Sequence, residues 1–314
     1  MTPHDLDAHR STLLAHCYRM MGSPTDAEDA VQDTLLKAWK NLDRFEGRSS
    51  LKTWLTSIAT RVCLDLLESR AARRLVTYTR SDASFGDSAP LAELDTYPLE
   101  AAAPSSWIEP LPDARIASRE GIRLAWIAAL QSLAPRQRAA LLMAEVLDYS
   151  AAEIAETLST TVAAVNSALQ RARETLAKRL ADGPAPRPID PLLVERFVDA
   201  FERYDVLALT QLLRDDAVMS MPPLSIWLEG PAAIGAWLEG RGKGCRGSRL
   251  VPTAANGQIA FGQYRVGASP GAPHTPWALV VLDAAPDGQR IESLTYFLDT
   301  ATVFPRFGLP LELP

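Results

Sequence analysis

Apolar residues recur every three to four positions through residues 1–80, which is the spacing of one buried helix face. The first stripe, closed by Gly22, consists of Leu13, Leu14, Cys17, Tyr18 and Met21. Thr25 is placed to cap a second helix, with Glu28 completing a capping box. That helix carries the apolar face Ala27, Val31, Leu35 and Trp39. A third helix, capped by Ser49 or Ser50, carries Leu51, Leu55, Ile58, Val62 and Leu66. The pattern predicts an all-helical block.

A helix-turn-helix is predicted between Ser150 and Leu180. Ser150 and Glu153 form a capping box, and Ile154, Ala155 and Leu158 supply the apolar face of the first helix. After a turn, Thr161 is placed to cap the second helix. Its predicted core stripe is Val162, Val165, Leu169, Ala172, Leu176 and Leu180. Its predicted outward face is Ala163, Asn166, Ser167, Gln170, Arg171 and Arg173. Short polar groups near a helix start, with arginines behind them, favour reading DNA over a plain solvated face.

After Pro191 the pattern changes to helices followed by strands. Phe197, Phe201 and Tyr204 keep helical spacing, and Asp205 is placed to cap another helix. Ala217 to Met221 reads as a short strand, and a helix from Gly230 holds Ile234, Trp237 and Leu238. The later strand-like runs are 249–254, 258–266, 277–283 and 290–298. Asn256-Gly257 predicts a hairpin turn between the first two. Helices followed by an antiparallel curved sheet predict an α+β domain.

Two breaks divide the chain. Residues 81–114 hold seven acidic residues and no basic residue, and they show no sustained periodicity. Residues 183–190 begin with Gly183 and are rich in proline. The resulting segments are 1–80, 81–114, 115–182, 183–190 and 191–314.

Composition excludes several classes of protein. The net charge is −6, but the helical blocks on either side of the acidic segment are each mildly basic, where DNA contacts are predicted. No stretch approaches the length of a membrane-spanning helix, and the N-terminus lacks the apolar core of a signal peptide. The three cysteines, Cys17, Cys63 and Cys245, are scattered, which favours free thiols in the cytoplasm over disulfides or zinc. We expect no metal and no cofactor.

Three motifs carry a resemblance to the sigma-70 family of RNA polymerase sigma factors. Residues 26–39 (DAEDAVQDTLLKAW) and 45–65 (FEGRSSLKTWLTSIATRVCLD) resemble region 2. Residues 133–138 (LAPRQR), with the helix-turn-helix that follows, resemble region 4. Only these two regions are present, which is typical of the extracytoplasmic-function group. The resemblance implies a non-enzymatic subunit that binds core RNA polymerase and promoter DNA.

The resemblance also implies three sets of contact residues. Asp29, Gln32, Asp33 and Trp39 are expected to bind core polymerase, although the residue pattern alone equally fits a solvated face. Contacts to the promoter −10 element are expected from Arg48, Ser49, Ser50, Lys52, Thr53, Arg61, Arg73 and Arg74. Contacts to the −35 element are expected from Thr161, Asn166, Ser167, Gln170, Arg171 and Arg173. Trp54 either stacks on a base or packs in the core, and its place beside the apolar stripe favours the core.

The acidic segment has two interpretations. In the first, the segment resembles the sigma linkers of this family, which thread toward the polymerase cleft, and its acidic residues would mimic phosphate there. In the second, it is a solvated spacer. Residues 107–112 (WIEPLP) resemble a motif of sigma factors that carry fused C-terminal domains.

Residues 200–205 (AFERYD) through 216–218 resemble the SnoaL-like, nuclear-transport-factor-like cone, which has a pocket between helices and sheet. That fold includes enzymes, and Tyr264, Arg265, His274 and Asp299 are candidate pocket groups, but fold alone does not establish an activity. Regulation of the sigma regions is favoured over binding of a small ligand and over catalysis. The rival interpretations of the whole chain are a stand-alone helix-turn-helix regulator and a SnoaL-type enzyme with a DNA-binding appendage.

Overall fold

Two units make up the computed structural model. The helical unit comprises Met1–Ser81 and Ile108–Ala185, and the sheet unit comprises Asp82–Trp107 and Pro186–Pro314. The structure describes residues 3–47, 49–69, 89, 94, 107–116, 122–179, 187–224, 226–267, 269 and 271–314.

In the first half of the helical unit, the described residues form the helices α1 (Pro3–Asp7), α2 (Arg10–Met21), α3 (Pro24–Lys40) and α4 (Leu51–Ser69). Gly22 ends α2 in the left-handed conformation, with φ of 72°, as its position predicts. The predicted cap of α3 is wrong. Ser23 caps this helix, accepting a hydrogen bond from the backbone N–H of Asp26, because Pro24 already occupies the first helical position. Ser50 caps α4, accepting from the backbone N–H of Thr53 at 3.0 Å.

The buried faces of α3 and α4 follow the predicted period with one exception. Ala27 and Val31 of α3 are buried, but Trp39 is 49% exposed and lies outside the core. Ala38 takes the buried position near the end of α3 instead. Trp54 of α4 is half-buried, packs against the apolar core and lies 5.1 Å from Phe45 between ring centroids. The favoured core role of Trp54 therefore fits its surroundings.

The second half of the helical unit contains α5 (Leu124–Gln131), α6 (Pro135–Glu145), α7 (Ala151–Thr157) and α8 (Val162–Arg179). The predicted capping box of Ser150 and Glu153 is present at the start of α7. Thr161 caps α8, accepting from the backbone N–H of Ala164 at 3.2 Å. The buried stripe of α8 is Val165, Leu169, Ala172 and Leu176. Val162, predicted in that stripe, is 44% exposed because the first helical residue lies beyond the surface that α8 buries, and Leu180 lies outside the described residues.

One continuous apolar core joins the two halves of the helical unit. Arg138 of α6 lies inside it, 4% exposed, and donates hydrogen bonds to backbone carbonyls that include those of Leu130 and Met20. Burial lowers the pKa of Arg138 to about 10. Its hydrogen bonds stabilise the buried charge and fix α6 against the end of α2.

From Pro191 onward, the described part of the sheet unit has two helices first and one helix last. Its elements are α9 (Pro191–Glu202), α10 (Val206–Gln211), β1 (Leu213–Ser220), β2 (Trp227–Glu229), α11 (Gly230–Glu239), β3 (Arg249–Ala255), β4 (Gln258–Arg265), β5 (Thr275–Ala284), β6 (Ile291–Phe297) and α12 (Thr300–Arg306). Asp205 caps α10 as predicted. Asn256 and Gly257 both have positive φ, which is the conformation that the hairpin dipeptide predicts.

The six strands have the order β2-β1-β6-β5-β4-β3. The predicted antiparallel sheet is wrong at one pair, since β1 and β6 run parallel. That pairing is long-range and joins strands that are distant in sequence, so local alternation carries no sign of its direction. The helices pack on one face around Phe197, Phe201 and Ile234, and α12 packs on the other side against β5.

Two residues of the acidic segment belong to the core of the sheet unit. Ala89 and Leu94 are 4% and 5% exposed and join the same apolar cluster as Phe197 and Ile234. The backbone N–H of Ala89 donates to the carbonyl of Trp227 in β2 at 3.2 Å. At these two positions the segment is packed rather than solvated.

Candidate polymerase and nucleic-acid interfaces

The exposed face of α3 holds the residues predicted to bind polymerase. Asp29, Gln32, Asp33 and Trp39 are all exposed, at spacings that place them on one side of the helix. Leu36, which the sequence reasoning missed, lies in the same stripe and is 51% exposed. The sequence signal for Leu36 was the adjacent pair Leu35-Leu36. One face of a helix can bury only one of two adjacent residues, so the other must be exposed. A surface with two large apolar side chains beside two carboxylates is suited to a basic, partly apolar partner.

The start of α4 presents small polar groups for the predicted −10 contacts. Ser49, Ser50 and Lys52 are exposed and Thr53 is half-buried. The hydroxyls of Ser50 and Thr53 lie 2.8 Å apart, so the two side chains form one local cluster. Arg48, Arg73 and Arg74 lie outside the described residues.

The second half of the helical unit contacts the predicted −10 helix at three points. The hydroxyl of Tyr149 donates to the carbonyl of Thr53 at 2.8 Å. The Arg61 Nε donates to the carbonyl of Thr157 at 3.0 Å, and the hydroxyls of Ser57 and Thr157 lie 3.3 Å apart. Burial raises the pKa of Tyr149, which keeps its hydroxyl protonated as the donor. The structure therefore brings the two predicted DNA-reading parts together in a closed arrangement.

The outward face of α8 is exposed as predicted. The exposed residues are Ala163, Asn166, Ser167, Gln170, Arg171 and Arg173, together with Thr161 at the cap. Two of them are engaged within the chain: Arg173 pairs with Glu145 at 2.6 Å, and Gln170 donates to Glu174 at 3.0 Å. Both pairs are exposed, so each exchanges readily for a phosphate or base contact.

The end of the acidic segment packs against the C-terminal end of α2. The hydroxyl of Tyr18 donates to the carbonyl of Glu109 at 2.8 Å, and the backbone N–H of Glu109 donates to the carbonyl of Gly22. Ile108 and Leu111 are buried in the core of the helical unit. The motif at 107–112 is therefore an anchoring sequence.

The candidate pocket groups of the sheet unit do not gather in one site. The hydroxyl of Tyr264 donates to the carbonyl of Pro310, and its ring packs against Phe304 of α12. Arg265 instead stacks on Trp277, His274 Nε2 lies 3.2 Å from the carbonyl oxygen of Gly247, and Asp299 caps α12. A recess between the helices and the sheet is lined by Phe197, Phe201, Leu209, Thr210, Leu213, Ile234, Leu238, Leu294 and Tyr296. Its free space amounts to roughly one water molecule.

Among the described residues, no group of His, Cys, Asp and Glu is arranged to hold a metal ion. The same part of the chain contains no helix that is long and apolar enough to cross a membrane. Cys17, Cys63 and Cys245 are buried free thiols.

Family models match three parts of the chain. Sigma-70 region 2 matches residues 6–73, sigma-70 region 4 matches residues 123–176, and the SnoaL-like domain matches residues 194–293.

Among curated proteins, the chain is 43% identical to the ECF RNA polymerase sigma factor SigG of Mycobacterium tuberculosis, covering 98% of this chain and 85% of that protein. It is 30% identical to SigJ of the same organism, covering 70% of this chain and 64% of that protein. Among solved structures, the crystal structure of M. tuberculosis SigJ matches with a TM-score of 0.63 and 21% identity, covering 98% of this chain and 99% of that chain.

These matches define a promoter-specificity subunit with helical regions 2 and 4 followed by a mixed helix–sheet domain. The chain belongs to the extracytoplasmic-function group of sigma-70 family RNA polymerase sigma factors. It is a transcription initiation factor that acts with core RNA polymerase at promoter DNA, and its C-terminal domain is SnoaL-like. Its sigma regions indicate a non-enzymatic initiation factor.

Proposed function

We propose that the SnoaL-like domain controls this sigma factor by holding the linker between regions 2 and 4. The observation that carries the proposal is the burial of Ala89 and Leu94 in the apolar core of the sheet unit. A linker packed into that core is withheld from the polymerase cleft, where an acidic strand would lie in the initiation complex.

The proposed contacts with the transcription machinery lie on three surfaces. The face of α3 bearing Asp29, Gln32, Asp33 and Trp39, together with Leu36, binds core polymerase. Ser49, Ser50, Lys52 and Thr53, together with Arg48, Arg61, Arg73 and Arg74, contact the −10 element. Thr161, Asn166, Ser167, Gln170, Arg171 and Arg173 contact the −35 element. The exposure of the described members of these sets, apart from the half-buried Thr53, supports each assignment.

The closed helical unit adds a second step to the proposed control. Thr53 and Arg61 are engaged by Tyr149 and Thr157, so region 4 must leave region 2 before both promoter elements are read. Release of the linker and opening of the helical unit are then coupled, because Ile108 and Leu111 anchor the far end of the linker in the helical core.

The SnoaL-like domain acts in this proposal as a regulatory module without catalysis. Its candidate groups point to different surroundings, and the described recess has no room for a small ligand of ordinary size, which needs roughly 300 Å³ or more. We place the protein in the cytoplasm, where core polymerase and promoter DNA are found; its free, buried thiols fit that compartment.

Run-off transcription with core polymerase and a genomic promoter library tests the proposal. Leu94→Asp places a charge in the apolar core, so it releases the linker and raises transcription several-fold. Leu207→Asp is the matched control, since Leu207 is 70% exposed in the same unit. Equal or lower transcription from the Leu94→Asp protein, with normal folding by circular dichroism, would contradict the proposed control.

A further inference from the structure

The SnoaL-like domain carries a concentration of positive charge that its regulatory role does not explain. Residues 240–282 contain no acidic residue, and four cations lie within nine positions at Arg241, Lys243, Arg246 and Arg249. We name residues 241–249 the basic loop. All four of its cationic residues are exposed.

The backbone of the basic loop is held firmly against the domain. Gly242, Cys245 and Ser248 are buried at every third position, so the cationic residues between them face outward. The Tyr204 hydroxyl donates to the carbonyl of Gly242 at 2.7 Å, and Arg265 donates to the Cys245 Sγ at 3.1 Å. A fixed backbone of this kind lowers the entropy lost when a ligand binds its side chains.

Glycine is required at two points of the basic loop. A Cβ at Gly242 would lie 2.9 Å from the carbonyl oxygen of Trp237. Gly247 has φ of 79°, and a Cβ there would lie 2.8 Å from Val266. The backbone of the loop therefore packs too closely against the domain to admit a Cβ at these two positions. Its cationic side chains extend from a well-defined backbone.

Among the described residues, three cations of the basic loop lack the aspartate or glutamate partner that several other arginines of the domain have. Arg187, Arg203, Arg214 and Arg290 are each paired with an aspartate or a glutamate. In the part of the chain that the structure describes, Lys243, Arg246 and Arg249 form no such pair. Arg246 instead lies over the ring of Tyr204 at 4.8 Å, and Arg249 donates to the carbonyl of Pro314.

Two neighbouring carboxylates belong to the surroundings of the loop. Glu202 accepts a hydrogen bond from the backbone N–H of Leu250 at 2.9 Å, and Glu239 is exposed at the end of α11. Arg265, which stacks on Trp277 and touches Cys245, adds a fifth cation beneath the loop. The balance at this surface remains strongly positive.

We propose that the basic loop binds the phosphate backbone of DNA, without reading its sequence. A row of exposed cations fits the regular phosphates of a duplex better than it fits one small anion. Only seven residues, 180–186, connect α8 to Arg187, so the covalent chain limits their separation to about 30 Å. DNA bound to region 4 is therefore within reach of the domain that carries the loop.

The salt dependence of duplex binding by the full-length chain tests this proposal. The probe is a duplex of arbitrary sequence, titrated by fluorescence anisotropy at salt concentrations between about 50 and 200 mM. Lys243→Gln/Arg246→Gln removes two phosphate contacts, so the slope of log K against log salt falls in magnitude by about 1 to 2. Arg196→Gln/Arg290→Gln removes the same charge from exposed sites of the same domain and leaves the slope unchanged. Lys243→Arg/Arg246→Lys keeps the charge and also retains the slope.

A photo-cross-linking residue at position 243 of the full-length chain identifies the bound molecule, with position 290 as the control. Adducts with the duplex at position 243 support the proposal. Adducts with the chain's own acidic segment, residues 81–114, would overturn it in favour of an internal partner. Equal salt slopes for the test and control variants, or no duplex binding by the wild-type chain at low salt, would also overturn it. These duplex-binding experiments contain no polymerase. Their outcome is therefore independent of the transcription test of linker control.

Discussion

The hydroxyl of Tyr149 donates a hydrogen bond to the backbone carbonyl of Thr53 at 2.8 Å. Tyr149 precedes the helix-turn-helix, and Thr53 lies in the first turn of the helix assigned to the −10 element. The contact closes the helical unit on itself at a surface that we propose contacts promoter DNA. Its strength therefore sets part of the free energy of opening.

Tyr149→Phe is expected to favour the open arrangement. Removing one neutral hydrogen bond weakens the closed form by about 1 kcal/mol, or about fivefold in the opening equilibrium. Single-molecule energy transfer between dyes on α3 and α8 measures the open fraction.

Tyr264→Phe is the matched control for Tyr149→Phe. It removes a hydroxyl that donates to a backbone carbonyl at the same distance, 2.8 Å, within the SnoaL-like domain. Equal open fractions in the two variants would show that the Tyr149 contact does not hold the closed form.

Reversal of charge on α3 is expected to weaken binding to core polymerase. Asp29→Lys/Asp33→Lys changes two exposed carboxylates beside Leu36 and Trp39, so a complementary basic surface is repelled. We expect the affinity to fall at least tenfold, which corresponds to a loss of about 1.4 kcal/mol of binding free energy. Fluorescence titration with labelled core enzyme measures it. Leu36→Ser tests the apolar part of the same face.

Glu195→Lys/Glu312→Lys is the control for the α3 variants, because it makes the same change at exposed residues of the sheet unit. If it weakens polymerase binding as much as the α3 variant does, the effect is one of net charge and the assignment of the α3 face is wrong.

Local periodicity was sufficient to predict most helices and strands. The Ser150–Glu153 box, the Thr161 cap and the Asn256-Gly257 turn depend on neighbours within a few residues, and all three are present. The errors also have local causes. Pro24 moves the cap of α3 to Ser23, and Val162 and Trp39 lie at helix ends, where an apolar residue need not meet the core.

Long-range packing was not readable from the pattern. Three features join distant parts of the chain: the parallel pairing of β1 with β6, the hydrogen bond from Arg138 to the Met20 carbonyl, and the burial of Leu94 in the sheet unit. The same holds for the site. The resemblance assigned Arg61 to DNA, while its hydrogen bond to Thr157 depends on the packing of α7 against α4.

Substitutions on α8 are expected to separate base reading from phosphate binding. Asn166→Ala removes a side chain near the start of the recognition helix and relaxes the preference at one or two −35 positions by about 1–3 kcal/mol. Arg171→Ala weakens binding to all sequences about equally, since phosphate contacts carry no sequence information. Arg173→Ala also weakens binding to all sequences, but by less, because Arg173 must first break its ion pair with Glu145 to contact a phosphate.

A promoter library bound to holoenzyme and sequenced at each protein concentration measures both effects of the α8 variants. Lys178→Ala, at an exposed residue near the end of α8, is the control for loss of charge. An unaltered −35 preference in the Asn166→Ala library would remove Asn166 from the base-reading set.

The stability of the helical unit is expected to fall in acid through His16. Burial, and then the charge of Arg19, lowers the pKa of His16 from 6.5 to about 3, so the folded protein holds a neutral ring. The Thr60 hydroxyl donates to the Thr56 carbonyl, which leaves His16 Nε2 as the donor to Thr60 at 2.9 Å.

Because the folded pKa is depressed, the neutral ring of His16 contributes stability that is complete above pH 6.5 and is lost as the pH falls toward 3. The loss is about 1.4 kcal/mol per pH unit, or about 2 kcal/mol at pH 5. Urea unfolding followed by hydrogen exchange of the α2 amides measures it. His16→Gln supplies a donor that does not titrate, so its stability falls less steeply between pH 7 and about 5. Parallel pH curves for the two proteins would show that folding does not depress the pKa of His16.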